Sequence, residues 1–151
     1  MNLERIDTHH HVFPPRYLKA LDQLGLREAG GGDIAFPDWS PEASIAMRDR
    51  YAVTTAMVSI SSPGVFFGDV RVASELAPTC NEYMVGLAHK YPGRFGVFAS
   101  VPLPDVKAGI TEATYALDTL NCDGIALLGS VADKFLGDPQ FEQLIQELNR
   151  P

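Results

Sequence analysis

The chain has 151 residues, 46% of them apolar and 21% charged, a balance that suits one folded domain with a sizeable core and excludes disorder throughout. Twelve basic against nineteen acidic residues leave a net charge of −7 with no Lys/Arg cluster of the kind that tracks a phosphate backbone, so no nucleic-acid partner is expected. No apolar run approaches the roughly 18 to 20 residues that span a bilayer and no signal-peptide pattern opens the chain, so the expectation is a cytoplasmic protein with no membrane partner.

The first predicted element is a strand over Ile6 to His11, within "RIDTHHH". A short helix fits about Pro15 to Leu24, ahead of a long connection that carries Gly30-Gly31-Gly32; connections of that length are usually functional or mobile. Ser40-Pro41-Glu42 then supplies an N-cap, a first-turn proline and an early acid for a helix through "EASIAMRDRY". "TTAMVSI" (54–60) reads as the second strand, and Asp69 can start a helix reaching about Lys90, with Pro92-Gly93 beyond its end. Pro78 falls inside that helix, where a missing N–H and a steric clash predict a kink or break. "FGVFASVPL" (95–103) is the third strand, Pro104-Asp105 opens a helix to about Leu120, and "DGIALLGS" (123–130) is the fourth strand. Asp138-Pro139 opens a last helix from about Gln140 to Asn149, with Phe141, Leu144, Ile145 and Leu148 on one stripe. The pattern is α/β: four consecutive βα units with parallel strands.

Three of the four histidines fall in the first strand. Side chains two apart share a strand face, so Asp7, His9 and His11 are expected on one face and His10 on the other. A strand-borne His-x-His offers two imidazole nitrogens to one cation, which makes His9 and His11 candidate metal ligands; the alternative is a strand that merely tolerates histidines. The candidate cofactor is a divalent metal, zinc first and manganese as the other possibility. Asp7 could accept a ring N–H and so orient a ligand from behind it. His10 is expected to pack beneath a helix or to be half exposed, and His89 to lie at the surface near a helix C-terminus. Cys80 and Cys122 are far apart with no CxxC spacing, as expected of two reduced, packed thiols.

"IDTHHHVFP", "WSPEASIAMRDRYAVTTAMVSI", "NEYMVGLAHKYPGRFGVFASVPLPDV", "DGIALL" and "FLGDPQFEQLIQELN" together resemble the amidohydrolase superfamily. The resemblance is to its group of decarboxylases, which act on aminocarboxymuconate semialdehyde, γ-resorcylate and 6-methylsalicylate. It implies a metal-dependent (β/α)8 barrel that removes carboxylate from a small, aromatic or muconate-type carboxylic acid, with His9 and His11 as its first two ligands. A metal-dependent hydrolase of the same superfamily is the alternative. In that group two further metal-site histidines and a catalytic aspartate come from later strands, so the catalytic residues are expected beyond Pro151 and turnover by this chain alone is in question.

Such a barrel takes about 250 residues. Residues 1–151 therefore read as its N-terminal half, a fragment expected to self-associate or to need a missing C-terminal half through its open sheet edges. A noncatalytic half-domain that assembles through those edges is the reading from another class. "AFPDWSPE" lacks the arginine that aminocarboxymuconate-semialdehyde decarboxylases carry in this stretch. Phe36, Pro37 and Trp39 suggest an aromatic lining, with Trp39 as a candidate substrate contact, while Trp39 is equally placed to staple the following helix. The serines of Ser61-Ser62-Pro63-Gly64 and Ser130 fall at the edge where βα folds bind ligands, and are also ordinary turn formers.

Overall fold

A computed structural model describes residues 5–26 and 35–150. Strands β1 (Arg5–Val12), β2 (Val53–Ile60), β3 (Phe95–Ala99) and β4 (Gly124–Ile125) form one parallel sheet in the order β1-β2-β3-β4. Between them run α1 (Pro15–Gln23), α2 (Pro41–Arg50), α3 (Val70–Lys90) and α4 (Val106–Thr114), and α5 (Glu142–Leu148) follows β4. No helix among the described residues is long and apolar enough to cross a membrane.

Side-chain caps start α2, α3 and α4. Ser40 Oγ accepts the Ala43 N–H (3.1 Å), Asp69 Oδ1 the Arg71 N–H (2.8 Å) and Asp105 Oδ1 the Ala108 N–H (3.0 Å), each pairing a donor that the helix leaves unmatched. One face of the sheet holds these helices. Ala56, Val58 and Ile60 of β2 and Phe95, Val97 and Ala99 of β3 are buried there with Ala73, Ala77, Cys80 and Met84 of α3. The alternate residues Thr55, Met57 and Ser59 are only half-buried on the other face. Phe141 and Leu144 form a second cluster with Val101, Leu103 and Ala113. Cys80 and Cys122 are both buried and unpaired, and burial pushes the Cys80 thiol up to about 12.

Four expectations are corrected. Val70–Lys90 runs through Pro78 without the break allowed for there, because its packing on β3 outweighs the local cost of the proline. The third strand stops at Ala99, and Pro102 and Pro104, which cannot donate to a ladder, follow it. The fourth strand is two residues long, and Ser130–Val131 (β5) instead pairs antiparallel with Lys134–Phe135 (β6) across Ala132 and Asp133, both at positive φ. The last turn of the fourth predicted helix, after α4, is π-helical over Tyr115–Thr119, and a 3-10 turn at Pro139–Phe141 precedes α5. The Gly30–Gly32 run lies outside the described residues.

Asn81 ties α3 to the end of β3. Fully buried, it donates from Nδ2 to the Ser100 carbonyl (2.9 Å) and to Glu112 Oε1 (2.7 Å), while its Oδ1 accepts the Ser100 N–H (2.8 Å). Burial pushes the Glu112 carboxyl above its usual value, against the pull of the Asn81 hydrogen bond. A raised folded pKa means that folding favours the protonated acid, so this stability is full below the unfolded value and is lost as pH rises through the folded one. Glu112→Gln, which keeps the acceptor without the charge, is therefore expected to melt progressively higher than the parent as pH rises from about 4.5. Melting temperatures across pH 4 to 8 check this; a constant difference between the two would contradict it.

Candidate metal centre at the end of the first strand

His9 and His11 stand at the carboxyl end of β1 with their Nε2 atoms 3.0 Å apart and their rings at 75°. Either one ring donates to the other, or both lone pairs face a single cation. Two metal–nitrogen bonds of about 2.1 Å at roughly a right angle would put the nitrogens at about this separation. Burial, ahead of the other influences on it, lowers the His11 pKa below the usual imidazole value and favours the neutral, lone-pair-bearing ring. Ser59 Oγ on β2 lies 3.4 Å from His11 Nδ1. This donor set fits a divalent transition metal as a partial chelate. Among the described residues no group of three or more His, Cys, Asp and Glu is placed to hold one.

His10 points away from this pair. Its Nε2 meets Ser44 Oγ of α2 at 2.9 Å and its Nδ1 meets Asp7 Oδ2 at 3.0 Å. Asp7 is the exception to strict alternation: its carboxylate bonds the His10 ring and, through Oδ1, the His9 backbone N–H (3.1 Å), not a ring of the metal-facing pair. The cause is a register irregularity in which β1 advances from Asp7 to His10 while β2 advances only from Ala56 to Val58. Partial burial raises the Asp7 pKa, but the His9 N–H and the His10 ring outweigh it and hold the carboxyl below its usual value.

The pair opens on a cavity of about 490 Å³ at the carboxyl ends of the strands. Phe66, Phe98, Leu127 and Leu128 give it an apolar wall, and Ser59, Ser62, Ser100 and Ser130 bring hydroxyls to it. Gly64 turns the chain there at φ +77°, where a side chain would be strained and its Cβ would come 2.8 Å from Leu128 Cδ1. Trp39 is not part of this lining. It packs on the main core ahead of the Ser40 cap, with its indole N–H buried and unpartnered among the described residues, while Phe36 meets Phe13 edge-on. Asp123 accepts the Val97 N–H (2.8 Å), and Asp133 sits in the β5–β6 turn; neither joins the imidazoles. His89 is exposed in the last turn of α3. Sequence reading missed Phe66, Phe98 and Ser100. The period-two pattern of "FGVFAS" could have marked Phe98 as facing away from the helices.

The amidohydrolase family model matches residues 6–151. The chain belongs to the amidohydrolase family. This amidohydrolase chain is 38% identical over 154 residues to the decarboxylase yanB of Aspergillus niger, covering 98% of itself and 41% of that protein. It is 34% identical to the 6-methylsalicylic acid decarboxylase of Penicillium expansum, covering 98% of itself and 46% of the relative. Among solved structures an amidohydrolase II superposes with a TM-score of 0.86 at 28% identity, covering 96% of this chain and 47% of the other. A dihydroxybenzoic acid decarboxylase from Polaromonas, solved with manganese and 2-nitroresorcinol, superposes with a TM-score of 0.76 at 19% identity over 95% of this chain and 46% of its own. The chain thus spans about half the length of the relatives it matches. Its four βα units correspond to part of their TIM-type barrels, and its barrel is not closed.

Proposed function

We propose that this chain supplies the first two metal ligands, His9 and His11, of a decarboxylase that acts on a small aromatic carboxylic acid. The observation that carries the reading is the convergence of two imidazole Nε2 atoms, 3.0 Å apart, at a cavity walled by Phe66 and Phe98. The decarboxylase relatives support the reaction type, and the methylsalicylate and dihydroxybenzoate enzymes among them support the substrate class. The manganese of the Polaromonas structure supports a divalent cation and puts manganese ahead of the zinc expected from sequence, since imidazole serves both.

When bound, such a cation anchors substrate oxygens and stabilises the negative charge that builds as CO2 departs. The chain's own residues hold and shape. Burial favours the neutral His11 ring, and the Ser59 hydroxyl lies beside its other nitrogen. Phe66, Phe98 and Leu128 exclude water and pack against an aromatic ring, while Ser62 and Ser130 offer hydrogen bonds to its phenolic or carboxylate oxygens. No Asp or Glu occurs among the described residues lining the cavity. The acid that protonates the ring carbon after C–C cleavage, and the remaining ligands, therefore come from outside these residues in our reading, as befits the N-terminal half of a barrel. β1 and β4 end the four-stranded sheet, which supports association along these edges with that other half or a second copy.

Residues 1–151 alone are expected to bind Mn2+ weakly and to release no CO2 from hydroxybenzoates or methylsalicylates. A longer protein containing this segment should bind one divalent ion tightly and turn such an acid over. Elemental analysis and CO2 release on both proteins check this; a metal-free, fully active enzyme would remove the reading.

A further inference from the structure

Beneath the imidazole pair lies a second constellation that the metal reading does not use. Ser44 on α2, His10 on β1 and Asp7 on β1 form an unbroken chain of hydrogen bonds: Ser44 Oγ to His10 Nε2 at 2.9 Å, then His10 Nδ1 to Asp7 Oδ2 at 3.0 Å. Partner types and distances are those of a Ser-His-Asp hydrolase, yet Ser44 is only 7% exposed, so a substrate carbonyl has no approach to its hydroxyl. The chain of bonds instead leads back toward the metal face. The second carboxylate oxygen, Asp7 Oδ1, accepts the backbone N–H of His9 at 3.1 Å.

That bond sits where β1 carries one residue more than β2, between the Asp7–Ala56 and His10–Val58 pairs. Bulges of this kind bend a strand and re-aim a side chain: here the Asp7 carboxylate turns to the His10 ring, and its other oxygen holds the backbone at His9. With its proton on Nδ1 the His10 ring donates to Asp7, and its Nε2 then accepts the Ser44 hydroxyl, so every member of the chain has a partner. α2 is itself fixed one turn earlier by the Ser40 cap and Pro41, and the Ser44 N–H donates to the Ser40 carbonyl at 3.0 Å. A rigid helix thus holds Ser44, Ser44 holds His10, and His10 turns Asp7 onto the amide of His9.

We propose that Ser44, acting through His10 and Asp7, is a positioning residue for the imidazole pair, holding the β1 backbone at His9 so that His9 Nε2 stays against His11 Nε2. The proposal rests on the reading of His9 and His11 as metal ligands for its consequence, though not for its geometry. Ser44→Ala should weaken Co2+ binding about tenfold, in the range of changes to groups that orient a ligand from behind, and shift the visible bands of bound Co2+. Ser44→Thr, which restores the hydroxyl, should recover both. Leu144→Ala, in the other core cluster, should lower the melting temperature at least as much while leaving Co2+ affinity and bands unchanged. Ser44→Ala with parental affinity and bands, or Leu144→Ala with the same losses, would overturn the proposal.

A metal-independent readout separates this from failure of the function reading. In the metal-free chain, the ring-nitrogen NMR resonances of His9 and His11 should move on Ser44→Ala and stay in place on Leu144→Ala. Should a longer protein containing this segment bind no metal, the metal reading falls while these resonances still decide the positioning role, and unmoved resonances reject it.

Discussion

On the proposed reading, replacing His11 by alanine in a longer protein that contains this segment is expected to abolish stoichiometric uptake of a divalent metal and to lower kcat/KM for CO2 release by at least about a thousandfold. A bound cation is worth several kcal/mol of charge stabilisation, and each ~1.4 kcal/mol is tenfold in rate. The fold should survive. His11 is half-buried on the face of the sheet turned away from the helices, and its ring touches His9 and Ser59, not the helix-side core. His9→Ala should behave alike, and the double variant should be little worse than either single one, because residues that act as a unit are not additive. Metal content by mass spectrometry, with CO2 release on the same samples, decides the matter. A His11→Ala protein that keeps both metal and turnover would show that the pair is an ordinary ring contact.

The second large effect is on stability. Asn81→Ala strands three buried partners at once: the Ser100 N–H, the Ser100 carbonyl and the Glu112 carboxyl. A buried group left unpaired costs about 1 to 3 kcal/mol, so a loss of about 3 to 5 kcal/mol is expected, a large part of the roughly 5 to 15 kcal/mol that holds a domain together. Urea denaturation should show the midpoint falling with little change in slope. A loss below about 1 kcal/mol would mean that water or a local shift takes over the Asn81 partners. Ser100 also lines the cavity, so at temperatures where the variant is still folded its substrate affinity should fall as well.

What was legible in the sequence is what depends on neighbours in the chain. Ser40, Asp69 and Asp105 mark helix starts because a cap needs only the next three residues, and each capping bond is present. The βα order and the parallel sheet follow from apolar runs spaced by helical periods, and the family resemblance named the amidohydrolase barrel from the same stretches. Illegible features depend on distant pairing. Strand alternation alone put Asp7 with His9 and His11, but pairing with β2 inserts the bulge that turns its carboxylate to His10. "DGIALLGS" reads as one strand, yet only Gly124 and Ile125 pair with β3, and Ser130–Val131 finds a nearer partner in Lys134–Phe135. Pro78 is forbidding by local rules and is tolerated in a helix that lies along the core. Trp39 reads as well for a lining residue as for a staple; it packs on the core, outside the lining of the cavity.

The alternation along β2 separates two kinds of selection. Ala56 and Val58 are sealed against the helices, while Ser59, one residue on, looks out on the open side of the sheet beside His11. A lineage can therefore exchange outward residues to suit a new acid without disturbing what the helices rest on, and can repack the inward ones without touching the chemistry. Substrate range and thermal tolerance are free to drift at different tempos within a single eight-residue strand.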